Sequence, residues 1–437
     1  MNRPVVIIGG GASGALLAIH LARLTGAARV VVVEAREAVG TGLAYSTTCP
    51  RHLLNVPAWN MSAFPDRPDH FLDWLRSDSE VQAERDSFVP RMTYGRYLRG
   101  QFGAAGVHHI RGTAISVRPD GDDVMVELAG GERLRAGRVV LAMGHFPPVD
   151  VPEVSAGVVE SGAYLRNPWR GGVAPLSPDL PVTLIGTGLT SVDMLLGLRE
   201  SGHRGVVTMV SRHGLLSRGH APYEARDASV IPPDAAPAAL AYLCDFRKAL
   251  REGCDWRAAT DSLRGVSNGL WKRLSLREKR RFRQHLFHYW SVSRHRMAPE
   301  IAEAVRMDLR EGRLVIRRAH VQSVVESGTG ALITLRTAAG TERHETGRVM
   351  NCTGPDTNYR RVASPLLAGL FDEGLARPGD MGVAFALDAD GRVLDPAGVP
   401  HPSVYAIGPM RAGELFETTA IPEIRRQAFD LAGVLAS

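Results

Sequence analysis

Glycines 9, 11 and 14 stand in the spacing G-x-G-x-x-G, directly after Val5-Val6-Ile7-Ile8. They precede a run whose apolar positions Leu16, Leu17, Leu21 and Leu24 follow the helical period. Strand, glycine turn and helix in that order make a phosphate site. Gly9 permits the tight turn, Gly11 lets the backbone approach a pyrophosphate, and Gly14 lets helix and strand pack closely. The unsatisfied N–H groups of the helix start, at Gly11, Ala12 and Ser13, then meet the negative charge. Glu34 lies twenty residues past Gly14, at the end of the strand Val30-Val31-Val32-Val33. A carboxylate there accepts hydrogen bonds from a ribose hydroxyl pair, so residues 4–34 are expected to hold a dinucleotide. One such unit with an acid fits NAD or the AMP half of FAD equally well. The next segment favours the flavin: Gly40–Tyr45 and Arg51–Pro57 form a long polar, glycine-rich excursion where a short NAD domain would continue into another βα unit.

The pattern recurs 177 positions later as Gly186-x-Gly188-x-x-Ser191, between Val182–Ile185 and Val206–Val210. Gly186, Gly188, Leu189, Thr190 and Ser191 are its expected nucleotide contacts. The next strand ends in Ser211-Arg212-His213, with no acid. The missing carboxylate removes repulsion, and Arg212 can take a 2′-phosphate bidentately, which points to NADPH. Two dinucleotide folds in one chain imply electrons passing from one nucleotide to the other.

From Pro232 to about Arg310 the pattern becomes helical and rich in arginine. Phe282, Leu286 and Trp290 recur at four-residue spacing and mark an inward face, and Arg294 is the next step on it. A buried guanidinium needs an anion, either a substrate carboxylate, a cofactor phosphate or an internal acid. Arg296 should fall on a different face if the helix continues. The basic run Lys272–Arg283 reads as an exposed helix face. His285 and His288 are spaced as a metal pair but lack a third ligand, so no metal is expected.

These sites sit in a chain of 437 residues, about three domains at ~150 residues each. With 44% apolar and 22% charged residues the composition is that of a globular protein with a sizeable core. The net charge of +6 comes from arginines interleaved with acids, and only Lys248, Lys272 and Lys279 are lysines. That interleaving describes a solvated surface and argues against a nucleic-acid partner. The four cysteines form no CxxC pair, which argues against a dithiol reductase. No apolar run reaches the ~20 residues of a membrane span, no leader pattern precedes the first strand, and the cytoplasm is the expected compartment. The expected fold class is α/β: two Rossmann-like dinucleotide-binding domains with a helical insertion. Its segments are 1–150 and 356–437 for FAD, 151–231 and 311–355 for NAD(P)H, and 232–310 for the insertion.

Several of these motifs carry a family resemblance. The Gly9 loop, Val140-Leu141-Ala142-Met143-Gly144, the Gly186 loop and Val349-Met350-Asn351-Cys352-Thr353-Gly354-Pro355 resemble the two-dinucleotide FAD/NAD(P) flavoproteins, close to flavin-containing and N-hydroxylating monooxygenases. His52–Pro57, Tyr94–Leu98, Arg294–Pro299 and Gly413–Pro422 resemble the narrower FAD-NAD(P)-binding subfamily. The resemblance implies FAD contacts at Gly9, Gly11, Ala12, Ser13, Gly14, Glu34, Ala35, Arg36, Gly42, Ala44, Tyr45, His52, Leu54, Asn55, Val56, Met143, Gly144, Gly408, Pro409, Thr419, Ala420 and Ile421. It places the start of the C-terminal helix, at Thr418–Ile421, against the flavin. The histidine fingerprint of Baeyer–Villiger enzymes is absent, and Ser161–Tyr164 and Asn167-Pro168-Trp169 stand near its place. The expected activity is an FAD-dependent, NADPH-consuming monooxygenase, hydroxylating an amine nitrogen of a small polar or amino-acid substrate with O2 through a C4a-oxygenated flavin. Arg294, His295 and Arg296 are the expected substrate contacts. The alternatives are an NAD(P)H-dependent reductase serving a small acceptor or partner protein, and a non-catalytic flavin-binding sensor or assembly factor.

Overall fold

The computed structural model describes residues 3–78, 83–170 and 176–437. Two mainly parallel sheets carry the nucleotide loops. In the first, Val5–Ile8 lies between Val30–Glu34 and Arg138–Leu141, with Val5 opposite both Val30 and Arg138. His108–Arg111 extends one side, and Pro400–Ala406 with the antiparallel edge Arg392–Leu394 extends the other. All four residues of Val5–Ile8 are buried, because a central parallel strand is covered on both faces. Val5 and Ile7 pack against the helices Ala12–Thr25 and Ile421–Ala436, while Val6 and Ile8 pack against Val117, Val126 and Leu366. Leu16, Leu17 and Leu21 are fully buried and contribute ~1.5–3 kcal/mol each. Leu24, in the last turn, is exposed.

The segment 107–145 divides three ways. His108–Arg111 joins the edge of the parallel sheet, Ala114–Asp120, Asp123–Leu128 and Arg133–Ala136 form a separate antiparallel sheet, and Arg138–Leu141 returns to the first.

The second sheet repeats the first. Val182–Ile185 is flanked by Val207–Ser211 and Arg348–Asn351, again parallel and in register. Beyond them lie Leu314–Arg318 and Tyr164–Leu165. Glu153–Val154, His320–Ser327, Gly330–Thr337 and Gly340–Thr346 form a further sheet beside it. The flanking strands Arg138–Leu141 and Arg348–Asn351 end where the chain crosses between domains. The two crossings run side by side: Phe146 pairs with Asp356, and the Asn351 side chain donates to the Val149 carbonyl at 2.8 Å.

The insertion is five helices, Ala239–Arg251, Trp256–Ser262, Ser267–Arg273, Leu276–His285 and Phe287–Arg294. It ends earlier than expected. The helix Pro299–Arg310 buries Ile301 and Val305 in the second sheet's core with Val182, Leu184 and Met209. The single helix implied by Phe282, Leu286 and Trp290 is broken at Leu286, at φ −118°, although those three side chains still face one cavity.

Candidate active site

The two glycine loops open onto one cavity of about 710 Å³. Gly9, Gly11, Ala12, Ser13, Glu34 and Arg36 line one end, and Gly42, Ala44, Tyr45, Met143 and Gly144 continue the wall. Pro409, Thr419 and Ile421 close one side, while Leu189 and Thr190 enter from the second loop. A ligand filling this space touches both Rossmann units.

The glycines show what each is for. Gly9 has φ +105°, and a Cβ there would sit 2.5 Å from the Ala142 carbonyl oxygen. A Cβ on Gly14 would lie 1.9 Å from the Gly9 oxygen, so Gly14 serves packing. Gly11 differs: its φ is −70°, and its Cβ would meet only Gly42 at an ordinary 3.5 Å. The fold itself tolerates a side chain at 11, which leaves the approach of a ligand as the reason for glycine. The helix start agrees. Ala12–Thr25 and Leu189–Glu200 have glycine N-caps, no side-chain cap and no acid in the first turn. Ser155, Asp255, Ser275 and Ser364 by contrast cap their own helices. The two loops keep their N–H donors and positive helix ends for an anion. Glu34 accepts from the Gly10 N–H at 2.7 Å and the Arg36 N–H at 2.9 Å, which fixes the carboxylate and leaves a lone pair on each oxygen for ribose hydroxyls. These residues fit FAD.

Several expected contacts lie elsewhere. Ala35 is exposed beside the cavity wall. Gly408, at φ +68°, gives its N–H to Gln427 and its carbonyl to Thr418, and a Cβ there would run into Ser13. Its glycine holds the loop closed. Ala420 is the N-cap of the C-terminal helix. The segment 52–56 makes its contacts within the protein. His52 packs between Thr47 and the Asp193 carbonyl, Leu54 and Val56 enter the first core, and the Asn55 carbonyl accepts from His220. This polar-looking stretch bridges the two domains, and the cavity wall is built by other residues.

Among those others, Arg91 and Asp193 form a buried ion pair at 2.8 Å, one partner from each domain, and both line the cavity. Burial pushes the Asp193 carboxyl up and Arg91 opposes the shift. The sequence held a signal, since Asp193 interrupts the apolar run Val192–Leu198 and an acid there demands a cation. Asn167, Pro168 and Trp169 also line the cavity.

In the second loop, Gly186 has φ +123°, and a Cβ would meet the Cys352 oxygen at 2.4 Å. Ser191 replaces the third glycine and turns its hydroxyl back to the Gly186 carbonyl at 2.8 Å. Arg212 and His213 are exposed at the strand end, and Arg212 has no acidic partner among the described residues. His213 stacks on His288 at 3.7 Å. Desolvation and neighbouring cations hold both rings below the usual histidine range.

The expected substrate residues are committed to the protein. Arg294 lies 3.3 Å from Glu417 and 3.4 Å from Glu423. Arg296 does not reach solvent: the helix stops at Arg294, and Arg296 is 2% exposed, paired with Asp261 between the rings of Tyr223 and Trp256. Burial and Arg294 lower His295 to about 4. Charge burial explains the outcome, because a guanidinium this enclosed requires a permanent partner. The basic run is likewise more than a solvated face. Lys272 bonds Glu414 at 2.6 Å and Lys279 bonds Asp380 at 2.7 Å, clipping the insertion to the C-terminal segment.

Residues 6–146 match the model of a family described as FAD-NAD(P)-binding. No curated protein sequence matches the chain. Solved structures share the fold over its whole length. Ornithine N-hydroxylase KtzI of Kutzneria sp. 744, solved with reduced FAD, NADP+ and L-ornithine, superposes with a TM-score of 0.69 at 14% identity, covering 100% of this chain and 99% of its own. Ornithine hydroxylase PvdA of Pseudomonas aeruginosa gives 0.66 at 17% identity, with 100% and 99% covered. Bacillithiol disulfide reductase Bdr of Staphylococcus aureus gives 0.62 at 13%, with 100% and 98% covered. The protein therefore has the two-dinucleotide flavoprotein fold, and its matched segment is an FAD-NAD(P)-binding domain.

Proposed function

We propose that the protein is an FAD-dependent, NADPH-consuming monooxygenase that hydroxylates an amine nitrogen. The observation that carries this reading is the single cavity shared by the two glycine loops. The overall change is R2NH + O2 + NADPH + H+ → R2NOH + NADP+ + H2O, in which NADPH supplies the two electrons that reduce the second oxygen atom to water. Bound FAD supplies the two-electron relay between the nicotinamide and dioxygen. The chain's own residues hold, orient and shield. Gly11 and Ala12 offer N–H groups to the pyrophosphate, Glu34 fixes the ribose, and Arg212 takes the 2′-phosphate of NADPH. Thr419 and Ile421 present the positive end of Ile421–Ala436, which favours the negative charge of a reduced flavin. Trp169, Pro168 and Phe146 exclude water from the cavity.

The likeness to a disulfide reductase raises a second reading, and the cysteines weigh against it. None of Cys49, Cys244, Cys254 and Cys352 lines the shared cavity. Cys352, beside the second loop, has its thiol pushed up to about 12 by burial and cannot act as a thiolate. A non-catalytic sensor has no need of the intact second loop.

The test is rapid mixing of NADPH-reduced holoprotein with oxygenated buffer. The oxygenase reading expects a persistent absorbing species distinct from both reduced and oxidised flavin. Direct return to oxidised flavin, with one hydrogen peroxide per NADPH, overturns it.

A further inference from the structure

The arginines expected to bind a polar substrate are neutralised inside the protein, yet the helical insertion contains an apolar cavity of about 300 Å³. Protein interiors hold few voids larger than a water molecule, so a space of this size has the dimensions of a ligand site. Its walls are rings and branched chains: Tyr242, Trp271, Phe282, Trp290 and Phe416, with Leu270 between them. The rings are organised around Phe416, which lies 5.0 Å from Trp271, 5.4 Å from Phe282 and 5.7 Å from Trp290.

Phe416 also fixes where the cavity sits. It comes from the C-terminal segment, three residues before Thr419, which lines the cofactor cavity. Three residues span at most about 11 Å, so the linings of the two spaces come within that distance of each other. The insertion's cavity thus lies near the expected flavin site.

The charge of the lining is one-sided. It contains no aspartate or glutamate, and its two charged residues are Arg218 and Arg247. Both are exposed, and neither has an acidic partner among the described residues. Arg218 lies over the Trp256 ring at 4.5 Å, which orients its guanidinium along the aromatic wall. An apolar chamber with unpaired cations suits a molecule with a ring-bearing body and one negative group. It offers no carboxylate to the ammonium of a small dipolar amino acid.

We infer that this cavity is the substrate pocket and that it takes an apolar, ring-bearing acid whose nitrogen is a weakly basic amine, neutral at pH 7, with its anionic group set against Arg218 and Arg247 and its ring stacked among Trp271, Trp290 and Phe416. The inference deepens the oxygenase reading and rests on it for the role of substrate.

The test is equilibrium binding to the oxidised, FAD-loaded protein without NADPH, using 2-naphthoate, 2-naphthalenemethanol and L-ornithine as probes. Binding is followed by calorimetry and by perturbation of the flavin absorption band. 2-Naphthoate should bind about tenfold tighter than the isosteric alcohol, shift the flavin band, and not be displaced by L-ornithine. Leu270→Trp, which fills the chamber, should abolish naphthoate binding. Arg247→Gln, at the exposed rim, should shrink the acid-over-alcohol ratio at least about threefold, so the proposal remains testable if Leu270→Trp loses its fold. Equal affinity for acid and alcohol, binding untouched by both substitutions, or L-ornithine binding in place of naphthoate would each overturn it. Because neither NADPH nor oxygen enters the measurement, its failure leaves the oxygenase reading standing. A failed oxygen reaction, conversely, leaves a measured binding site whose role is then something else.

Discussion

The two glycine loops are built on the same scaffold and differ in how they are finished. In the first, Gly14 packs so closely under Gly9 that a single methyl would lie 1.9 Å from its carbonyl, and Glu34 is fixed by two backbone N–H groups. In the second, Ser191 occupies the Gly14 position with its hydroxyl on the Gly186 carbonyl, and the strand end carries the exposed Arg212, without an acidic partner among the described residues. The first loop faces a cavity walled by both domains and by the start of the C-terminal helix, whereas Arg212 stands exposed outside that cavity's lining. A closed, preorganised cradle suits a cofactor that stays, and an open cationic rim suits one that is exchanged at each turnover. On the proposed function, the resident flavin belongs to the first loop and the transient NADPH to the second.

The sharpest way to break that comparison is substitution at matched positions. Gly14→Ala should yield no soluble, flavin-containing protein, because backbone meets the new methyl and nothing flexible can yield. Ser191→Ala should keep both fold and flavin, losing one hydrogen bond worth ~1 kcal/mol. Gly11→Val sits between them, retaining helical circular dichroism but purifying colourless. Flavin content per protein, read by absorbance, separates the three.

The next effect concerns the pair that ties the two regions together. Asp193→Leu leaves Arg91 buried without its partner and should destabilise the protein by about 3–5 kcal/mol. The double change Arg91→Met with Asp193→Leu should recover much of that loss in a thermal melt. If the single change is silent, the pair does not hold the domains.

Arg212→Ala should lower kcat/KM for NADPH by on the order of 10- to 150-fold, a charge-assisted contact of ~1.5–3 kcal/mol, and leave NADH unchanged. Wild-type protein that uses both coenzymes equally would remove the functional meaning of the open rim.

A smaller effect is expected from pH. Burial and Arg296 hold His220, which bonds the Asn55 carbonyl between the domains, at about 4. Its folded value is depressed below the unfolded one near 6.5. The unfolded chain therefore gains protons first, and stability falls as pH drops from about 6.5 toward 4. Between pH 7.5 and 5.5 this one group costs about 1–1.5 kcal/mol. His220→Gln, which keeps a donor for Asn55 and does not titrate in this range, should flatten the melting-temperature profile by that amount. Parallel profiles would exclude His220 as the acid-sensitive group.

The loops are legible in the sequence because their chemistry is local. A turn, a backbone approach and a close packing contact each demand glycine within a few residues, and the strands around them read as unbroken apolar runs. Pairing across the chain is not legible in the same way. Arg91 and Asp193 are 102 positions apart, and only folding brings them to one wall. Spacing alone puts Arg294 on an inward face with Phe282 and Trp290. Whether its anion comes from a ligand or from Glu417 and Glu423 depends on a segment more than a hundred residues away. The stretch 52–56 misleads for the opposite reason. His52 bonds the Asp193 carbonyl of the other domain and the Asn55 carbonyl accepts from His220, demands that composition alone does not distinguish from contact with a ligand.

One resident and one exchangeable nucleotide sharing a cavity is the central claim, and an anaerobic titration tests it directly. Purified protein, yellow after exhaustive desalting, is titrated with NADPH in the absence of oxygen. One equivalent should bleach the flavin band, and a second desalting step should remove the nicotinamide nucleotide while the reduced flavin stays with the protein. Flavin that remains oxidised under excess NADPH, or that leaves the protein with the nicotinamide nucleotide, would contradict it.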